Sequence, residues 1–226
     1  MTEYLVYDQS RYDREAVSLQ ARLEHWLPAD KDANILDVAC GAGQFLYFLN
    51  KKGYVNVAGV DVSPEQVEIS RNVCSNVVLT DALAYLTEHK NAFDLITGFD
   101  VIEHFHKSEL FPILDAMHAA LKPGGRLILQ TPNAESPWGM KVRYGDLTHE
   151  LAFEPSVLRR TLAAAGFVSY EARECGPFVH GFKSFIRCGI WQILRQFLKL
   201  WNLAEVGNAG SGIYTRVFIA KADKPV

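Results

Sequence analysis

The chain has 226 residues, 49% hydrophobic and 22% charged, a globular composition with length enough to bury the core of one domain. A formal net charge of −3 excludes wrapping of nucleic acid by overall charge, and four cysteines with no CxxC pair exclude a zinc or disulfide framework. No run of about 18 uncharged apolar residues occurs, which excludes an ordinary transmembrane helix. The opening Met1-Thr2-Glu3-Tyr4 has no basic and apolar leader pattern, so a cytoplasmic location is expected.

In chain order, residues 1–12 are polar and tyrosine-rich, with Tyr4, Tyr7 and Tyr12. Ala16, Leu19, Leu23, Trp26 and Leu27 recur at helical spacing and predict a helix from Asp13 to Leu27, stopped by Pro28. Short apolar strands follow at Ile35–Val38, Val55–Val60, Val77–Leu79, Leu95–Gly98 and Arg126–Gln130. Helices are expected between them from Gln44 to Lys52, from Pro64 to Asn72 with Ser63 as N-cap, and from Lys107 to Leu121. This alternation predicts a mostly parallel sheet covered on both faces. Residues 134–153 read as a long loop, a length that usually marks function or mobility. A helix from Pro155 to Ala165 closed by Gly166, a sixth strand at Phe167–Arg173 and a last strand at Ile213–Ala220 complete the pattern.

The richest segment is Ile35-Leu36-Asp37-Val38-Ala39-Cys40-Gly41-Ala42-Gly43-Gln44-Phe45-Leu46, answered by Gly59-Val60-Asp61-Val62-Ser63. A buried strand runs into a glycine turn and a helix, and the next strand ends on a carboxylate 24 residues after Asp37. Glycines let backbone approach a ligand, and the acid can accept from both hydroxyls of a ribose. Leu46 stands where a dinucleotide fingerprint wants a small residue, Gly-Lys-Ser/Thr is absent, and the turn has no nearby Lys or Arg for a pyrophosphate. The residues point to a cofactor with adenosine and ribose but no phosphate.

At this point the chain resembles the class I S-adenosylmethionine-dependent methyltransferases. Asp81-Ala82 after Val77–Leu79, Phe93-Asp94-Leu95-Ile96-Thr97-Gly98-Phe99-Asp100-Val101-Ile102-Glu103-His104-Phe105, and Leu121-Lys122-Pro123-Gly124-Gly125-Arg126 look like the later motifs of that family, in order, over residues 33 to 173. The resemblance implies a Rossmann-like α/β fold: a doubly wound, mostly parallel seven-stranded sheet with an N-terminal helix and a C-terminal helical insertion. It implies a single domain over 1–226, with a core from 30 to 173, the insertion from 174 to 210 and an antiparallel last strand at 213–220. S-adenosylmethionine is the expected cofactor. Gly41 and Gly43 would line its methionine part and Asp37 would organise the amino group. Asp61 would take the ribose, Val62 the adenine face, Asp81 and Ala82 the exocyclic amine, and Phe99 would pack on the cofactor. Ala39 replaces the glycine that usually opens the turn, so altered turn geometry is expected there. Each acid also precedes a helical segment and could be its N-cap.

Methyl transfer is an in-line displacement in which positioning dominates. His104, at the tip of the fourth strand, and His149, in the loop Arg143-Tyr144-Gly145-Asp146-Leu147-Thr148-His149-Glu150, are the two expected bases. Asp146 or Glu150 would orient the His149 ring. The alternatives are that Glu103 and His104 tie down the following loop, and that Thr148-His149-Glu150 cap the helix at Pro155. A metal on Asp146, His149 and Glu150 is not expected, since three residues of one loop are weak evidence for a site. The Asp146–Glu150 run is similar to methyltransferases of glycan gene clusters, which implies a small or glycan-type acceptor and no nucleic acid. Val101–His104 also resembles ubiquinone-biosynthesis O-methyltransferases, which implies a quinone or isoprenoid aromatic instead. A third alternative is a cofactor-binding interaction module without transferase activity, expected if the 134–153 loop plugs the acceptor space. Residues 182–203 predict an amphipathic helix with no acid from Cys175 to Ala204. It could pack on the core, form a homodimer contact or make a peripheral membrane contact, with a break expected near Gly189.

Overall fold

A computed structural model describes residues 7–226; Met1 to Tyr4 lie outside the described residues. Asp8 caps the first helix, α1 (Gln9–Leu23), by accepting from the Ser10 amide at 3.0 Å. The helix therefore starts earlier than the hydrophobic spacing indicates. It ends earlier too, with His25 in the left-handed region at φ 65°. Buried Tyr12 donates its hydroxyl to the Ala42 carbonyl at 2.5 Å, tying α1 to the glycine turn. Asp13 holds the Tyr47 hydroxyl at 2.9 Å and the Lys51 ammonium.

The remaining elements alternate. They are β1 (Ile35–Val38), α2 (Gln44–Lys51), β2 (Val57–Asp61), α3 (Pro64–Ser70), β3 (Val77–Leu79), α4 (Ala82–Glu88) and β4 (Phe93–Phe99). Then come α5 (Lys107–Ala120), β5 (Leu121–Pro132), α6 (Gly139–Arg143), α7 (Pro155–Ala164), β6 (Val168–Glu174), α8 (Phe182–Val206) and β7 (Val217–Asp223). Ser63 caps α3 as its sequence indicates, accepting from Gln66 N. Helix α4 was not anticipated, nor was the short α6 inside the expected loop. The strands form one sheet in the order β3-β2-β1-β4-β5-β7-β6. Pairing is parallel from β3 to β5, and β7 is antiparallel to both of its neighbours. This is the doubly wound, seven-stranded sheet expected. The last strand sits later than expected because Tyr214 and Thr215 are held outside the ladder: the Tyr214 amide donates to Glu174 and the Thr215 carbonyl accepts from Asn133. All four cysteines are free thiols.

Leu46 is compatible with close packing because the small residue lies on the neighbouring strand. A Cβ at Gly59 would meet Cys40 Sγ and Leu46 Cδ1, each at 2.8 Å. The helix–strand approach is thus made by a glycine in β2 beneath the turn.

Helix α8 runs through Gly189 without a break, and its polarity is reversed. The inward stripe is Ser184, Trp191, Arg195, Leu198 and Asn202, with Ser184 the one fully buried position. Its anchor is Glu174, which accepts from Trp191 Nε1 at 3.0 Å and pairs with Arg195 at 3.2 Å. The outward stripe of Phe182, Ile186, Ile190, Ile193, Phe197 and Leu200 is 45–78% exposed. An apolar face packed on the core was the simplest expectation for this helix; the polar face packs instead. Among the described residues no helix is long and apolar enough to cross a membrane.

Adding a methyl group at Gly59 is expected to destabilise the fold by about 1–3 kcal/mol, the usual cost of overpacking a filled core. Urea denaturation of Gly59→Ala measures it, and unchanged stability would show that Leu46 and Cys40 are not in close contact with β2.

Candidate active site

The order β2-β1-β4 places a topological switch between β1 and β4, where ligands of open α/β sheets bind beyond the carboxyl ends of the strands. A cavity of about 400 Å³ opens there, with Asp37, Ala39, Cys40, Gly41 and Phe99 in its wall. Four residues of α1 complete the wall: Glu15, Ser18, Leu19 and Arg22. They recur at i, i+3, i+4 and i+7, the period of one helix face; the sequence reading missed them, although this spacing was the signal. Gln44, Phe45 and Gln130 were missed as well, and Asp100 joins the wall from the tip of β4.

Ala39 adopts φ 54° and Gly41 and Gly43 adopt φ 53° and 85°. Ala39 therefore takes the left-handed backbone a glycine would take, with a methyl group's strain. Asp61 accepts from the Gly41 amide at 2.8 Å and from the Ser63 amide at 2.9 Å, so it holds the glycine turn and the start of α3 together. Asp61 and Val62 stand at the end of β2 outside the cavity wall, and Val62 is exposed. Asp81 is the N-cap of α4, accepting from Ala84 N at 2.9 Å, and Ala82 is the first residue of that helix. Asp81 thus fills the capping role. Burial pushes the Cys40 thiol up, with Asp37 and Asp61 adding to the effect. It is a packing residue.

Asp37 is buried and accepts from Thr97 Oγ1 at 2.6 Å across the β1–β4 pair. Desolvation pushes its carboxyl up to about 7 against the Thr97 bond, and the charge of Asp61 adds to the rise.

At the tip of β4, Glu103 is fully buried. Thr131 Oγ1 donates to its Oε2 at 3.0 Å, and its Oε1 is buried without a hydrogen-bond partner. Its backbone carbonyl accepts from the amides of Glu150 and Leu151, each at 2.8 Å. That clamp returns the loop to the strand and brings together two histidines 45 residues apart in the chain. The His104 and His149 rings meet edge to face with centroids 4.7 Å apart. Asp146 does not orient His149. It bonds the Thr148 amide and hydroxyl, and Thr148 in turn supports His104. Glu150 turns to His106 at 3.6 Å, and α7 has Glu154 at its N-cap position rather than the Thr148–Glu150 run. Asp100 lines the cofactor-side cavity, is held by Gln130 Nε2 at 2.8 Å, and lies within electrostatic reach of both imidazoles.

A second cavity, about 550 Å³, shares Ser18 and Arg22 with the first. Arg22, Arg187, Arg216, Trp138, Trp191 and Tyr214 are in its wall, to which none of the described residues contributes an acid. Trp138 and Tyr214 also line a third, apolar cavity of about 470 Å³ beneath α8, with Leu194, Phe197, Leu198 and Trp201. The 134–153 loop borders this space and leaves it open.

Residues 9–172 match a family model described as a methyltransferase domain. The chain belongs to that methyltransferase-domain family. The ubiquinone biosynthesis O-methyltransferase of Rattus norvegicus is 32% identical over 108 residues, 44% of this chain and 30% of that protein. The ajmaline N-methyltransferase of Rauvolfia serpentina is 31% identical over 91 residues, 37% of this chain and 31% of that protein. The chain thus spans less than half the length of these relatives. A crystal structure of a SAM-dependent methyltransferase from Archaeoglobus fulgidus superposes with a TM-score of 0.69 at 22% identity, covering 96% of this chain and all of the other. The class I methyltransferase fold read from the motifs holds along the whole sheet.

The raised Asp37 carboxyl carries a stability consequence. Unfolded, it ionises near 3.8; folded, near 7. Between those values the folded state alone retains the proton, so stability falls as pH rises through that interval, and the full cost persists above 7. Asp37→Asn keeps an oxygen for Thr97, so it is expected to stabilise the ligand-free protein by roughly 2–4 kcal/mol at pH 8 and by almost nothing near pH 4. Denaturant titration at both pH values checks this, and an equal effect at the two would remove the buried-charge explanation.

Proposed function

We propose that this chain transfers the methyl group of S-adenosylmethionine to a hydroxyl oxygen of a small acceptor. The cofactor would lie in the β1–β4 cleft, with its methionine part against the backbone of Ala39, Gly41 and Gly43. Its ammonium would face Asp37, its ribose Asp61, its adenine Val62, Asp81 and Ala82, with Phe99 beside it. Arg22 is the cation of the cleft wall able to meet the carboxylate.

The choice of oxygen rests on one observation, the placing of two imidazoles together at the tip of β4. Nδ1 of His149 lies 3.1 Å from the Val142 carbonyl oxygen and Nδ1 of His104 lies 3.3 Å from that of Thr148. A carbonyl only accepts, so a hydrogen bond at either place takes the tautomer with the proton on Nδ1, and in that tautomer Nε2 has the lone pair a base needs. Two such lone pairs beside Asp100 suit a nucleophile that must lose a proton. The acceptor body would occupy the arginine- and aromatic-lined cavity. A hydroxylated glycan-type ring suits its stacking surfaces, and the open space beside the cofactor cleft favours an enzyme over an interaction module. The adjoining apolar cavity favours the second reading, an isoprenoid aromatic with its chain beneath α8.

Two losses should separate. Asp61→Ala removes a charged acceptor, each bond to which is worth about 1.5–3 kcal/mol, so affinity for S-adenosylhomocysteine should fall at least tenfold by calorimetry. His104→Ala and His149→Ala should keep that affinity and lower methyl transfer from labelled S-adenosylmethionine by roughly 10²–10⁴-fold. Unchanged affinity in the first variant, or full turnover in both others, would overturn the corresponding assignment.

The outward face of α8 suits an anionic membrane surface. Its apolar stripe carries no charge, Lys183 and Arg187 flank it, and Trp201 supplies an interfacial ring. Pelleting with anionic liposomes is expected at low salt and should weaken at high salt. No pelleting, together with a dimeric mass by light scattering, would assign the face to a second copy.

A further inference from the structure

The glycine turn contains no cation; cations gather instead in the wall of the second cavity. Arg22 of α1, Arg187 of α8 and Arg216, the residue before β7, reach that wall from three separate elements. None of the three guanidinium groups takes part in an ion pair among the described residues. Nearby acids are engaged elsewhere. Glu174 takes Trp191 and Arg195. Asp100 is linked to Arg22 through the Gln130 side chain, which accepts from Arg22 Nη1 at 3.1 Å and donates to Asp100 at 2.8 Å. Arg22 Nε is buried and has no hydrogen-bond partner among the described residues. A buried donor without an acceptor is costly, and like charges in one wall repel. An anion in the cavity offsets both.

The backbones that carry these arginines are held. Asn133 donates its amide to the Arg216 carbonyl at 2.9 Å and its side chain to the carbonyls of Ile213 and Thr215. Ser184 closes the first turn of α8, donating its hydroxyl to the Gly181 carbonyl at 2.7 Å and accepting from the His180 amide at 2.8 Å. A ligand therefore has to order side chains only, which keeps the cost of binding low.

We propose that the acceptor carries a phosphoryl group, seated in this cavity on Arg187 and Arg216, with Arg22 between it and the cofactor. Its assignment to the acceptor rests on the proposed methyl transfer; the anion site itself does not. Guanidinium groups meet phosphoryl oxygens bidentately. A phosphomonoester brings about 1.5–2 negative charges near neutral pH, a better match to three arginines than the single charge of a carboxylate. Trp138 and Phe178 give the same wall aromatic surface for the body of the acceptor. The phosphoryl group takes no part in the transfer. It holds the acceptor so that a hydroxyl faces the cofactor cleft, with which the cavity shares Ser18 and Arg22; binding away from the reacting atoms orients those that react. The phosphate is that of a free sugar or of a compound whose apolar chain continues beneath α8, past Trp138 and Tyr214.

The test uses full-length protein saturated with S-adenosylhomocysteine, so that the cofactor's own carboxylate is already in place. Glucose 1-phosphate and geranyl phosphate are titrated by calorimetry at low salt, with glucuronate and glucose as the carboxylate and neutral comparisons. At least one phosphate is expected to bind saturably and about tenfold or more tighter than glucuronate, with no binding of glucose. Tighter geranyl phosphate assigns the chain-linked form, and tighter glucose 1-phosphate the free sugar. Arg187 and Arg216 are exposed, so their alanine variants should fold. Each should weaken phosphate binding by about fivefold or more and leave S-adenosylhomocysteine affinity unchanged. Lys183→Ala, on the same helix but outside the wall, should alter neither. No saturable binding of either phosphate, glucuronate bound as tightly, or an equal loss in Lys183→Ala would overturn the proposal, even where a neutral hydroxyl compound is methylated. Phosphate binding without methyl transfer to any hydroxyl would support the site and count against the proposed reaction alone.

Discussion

The parallel pairing of β1 with β4 is the constraint on which everything else depends. Its register sets Asp37 opposite Thr97 and Val38 opposite Gly98. Strand β1 therefore has β2 on one side and β4 on the other, and the crossovers from the two strands leave by opposite faces of the sheet. The turn after Val38 and the tip after Phe99 consequently diverge around a gap. The glycine turn, the Asp37 carboxyl and Asp100 reach the same crevice because they follow or belong to these two strands, and Glu103 and His104 come just after the tip of β4. Helix α1 roofs the gap, fixed by the Tyr12–Ala42 bond and by Asp13 on α2.

Asp37 lines this gap and Glu103 lies just after the tip of β4, and both buried carboxylates work against folding. Asp37 is held by one hydroxyl and Glu103 by one hydroxyl plus an orphaned oxygen. A sheet of this design could carry apolar residues at either place with a gain in stability. In the proposed function a cationic amino group arrives at Asp37, while Glu103 keeps an oxygen that no described group meets. Ala39 and Asp100 repeat the pattern in the backbone, with φ of 54° and 52° at non-glycine positions, the strain that accumulates at binding sites.

Local chemistry was legible in the sequence wherever one segment decides it. Ile35–Val38 and Val77–Leu79 are bounded by polar turns and appear as strands with those limits. Ser63-Pro64 announces α3. The cleft motifs were legible because each sits at the carboxyl end of its own strand. Less legible was whatever one residue does twice. Asp81 was read mainly as a ligand, so the helix it caps was missed. Leu121 pairs with Phe93 before the Gly124-Gly125 bulge, so β5 is longer than its apolar run. His104 and His149 were each found, but their meeting depends on two amides bonding the Glu103 carbonyl, a contact between backbone groups that no side-chain pattern encodes.

Helix α8 shows the same limit from the other direction. Its hydrophobic pattern identified a helix and an apolar face, but a pattern gives no direction to that face. The direction comes from Glu174, a carboxylate at the end of β6 that takes Trp191, Arg195 and the Tyr214 amide at once. Satisfying Glu174 requires the polar stripe to face the core, and the apolar stripe then faces outward. A soluble monomer rarely leaves so long an apolar stripe uncovered. Leu194, Leu198 and Trp201 of the same helix line the apolar cavity, with Phe197 where the cavity meets the outward stripe, and this cavity adjoins the arginine-lined one at Trp138 and Tyr214. Whatever covers α8 therefore also borders the apolar cavity and its junction with the arginine-lined one.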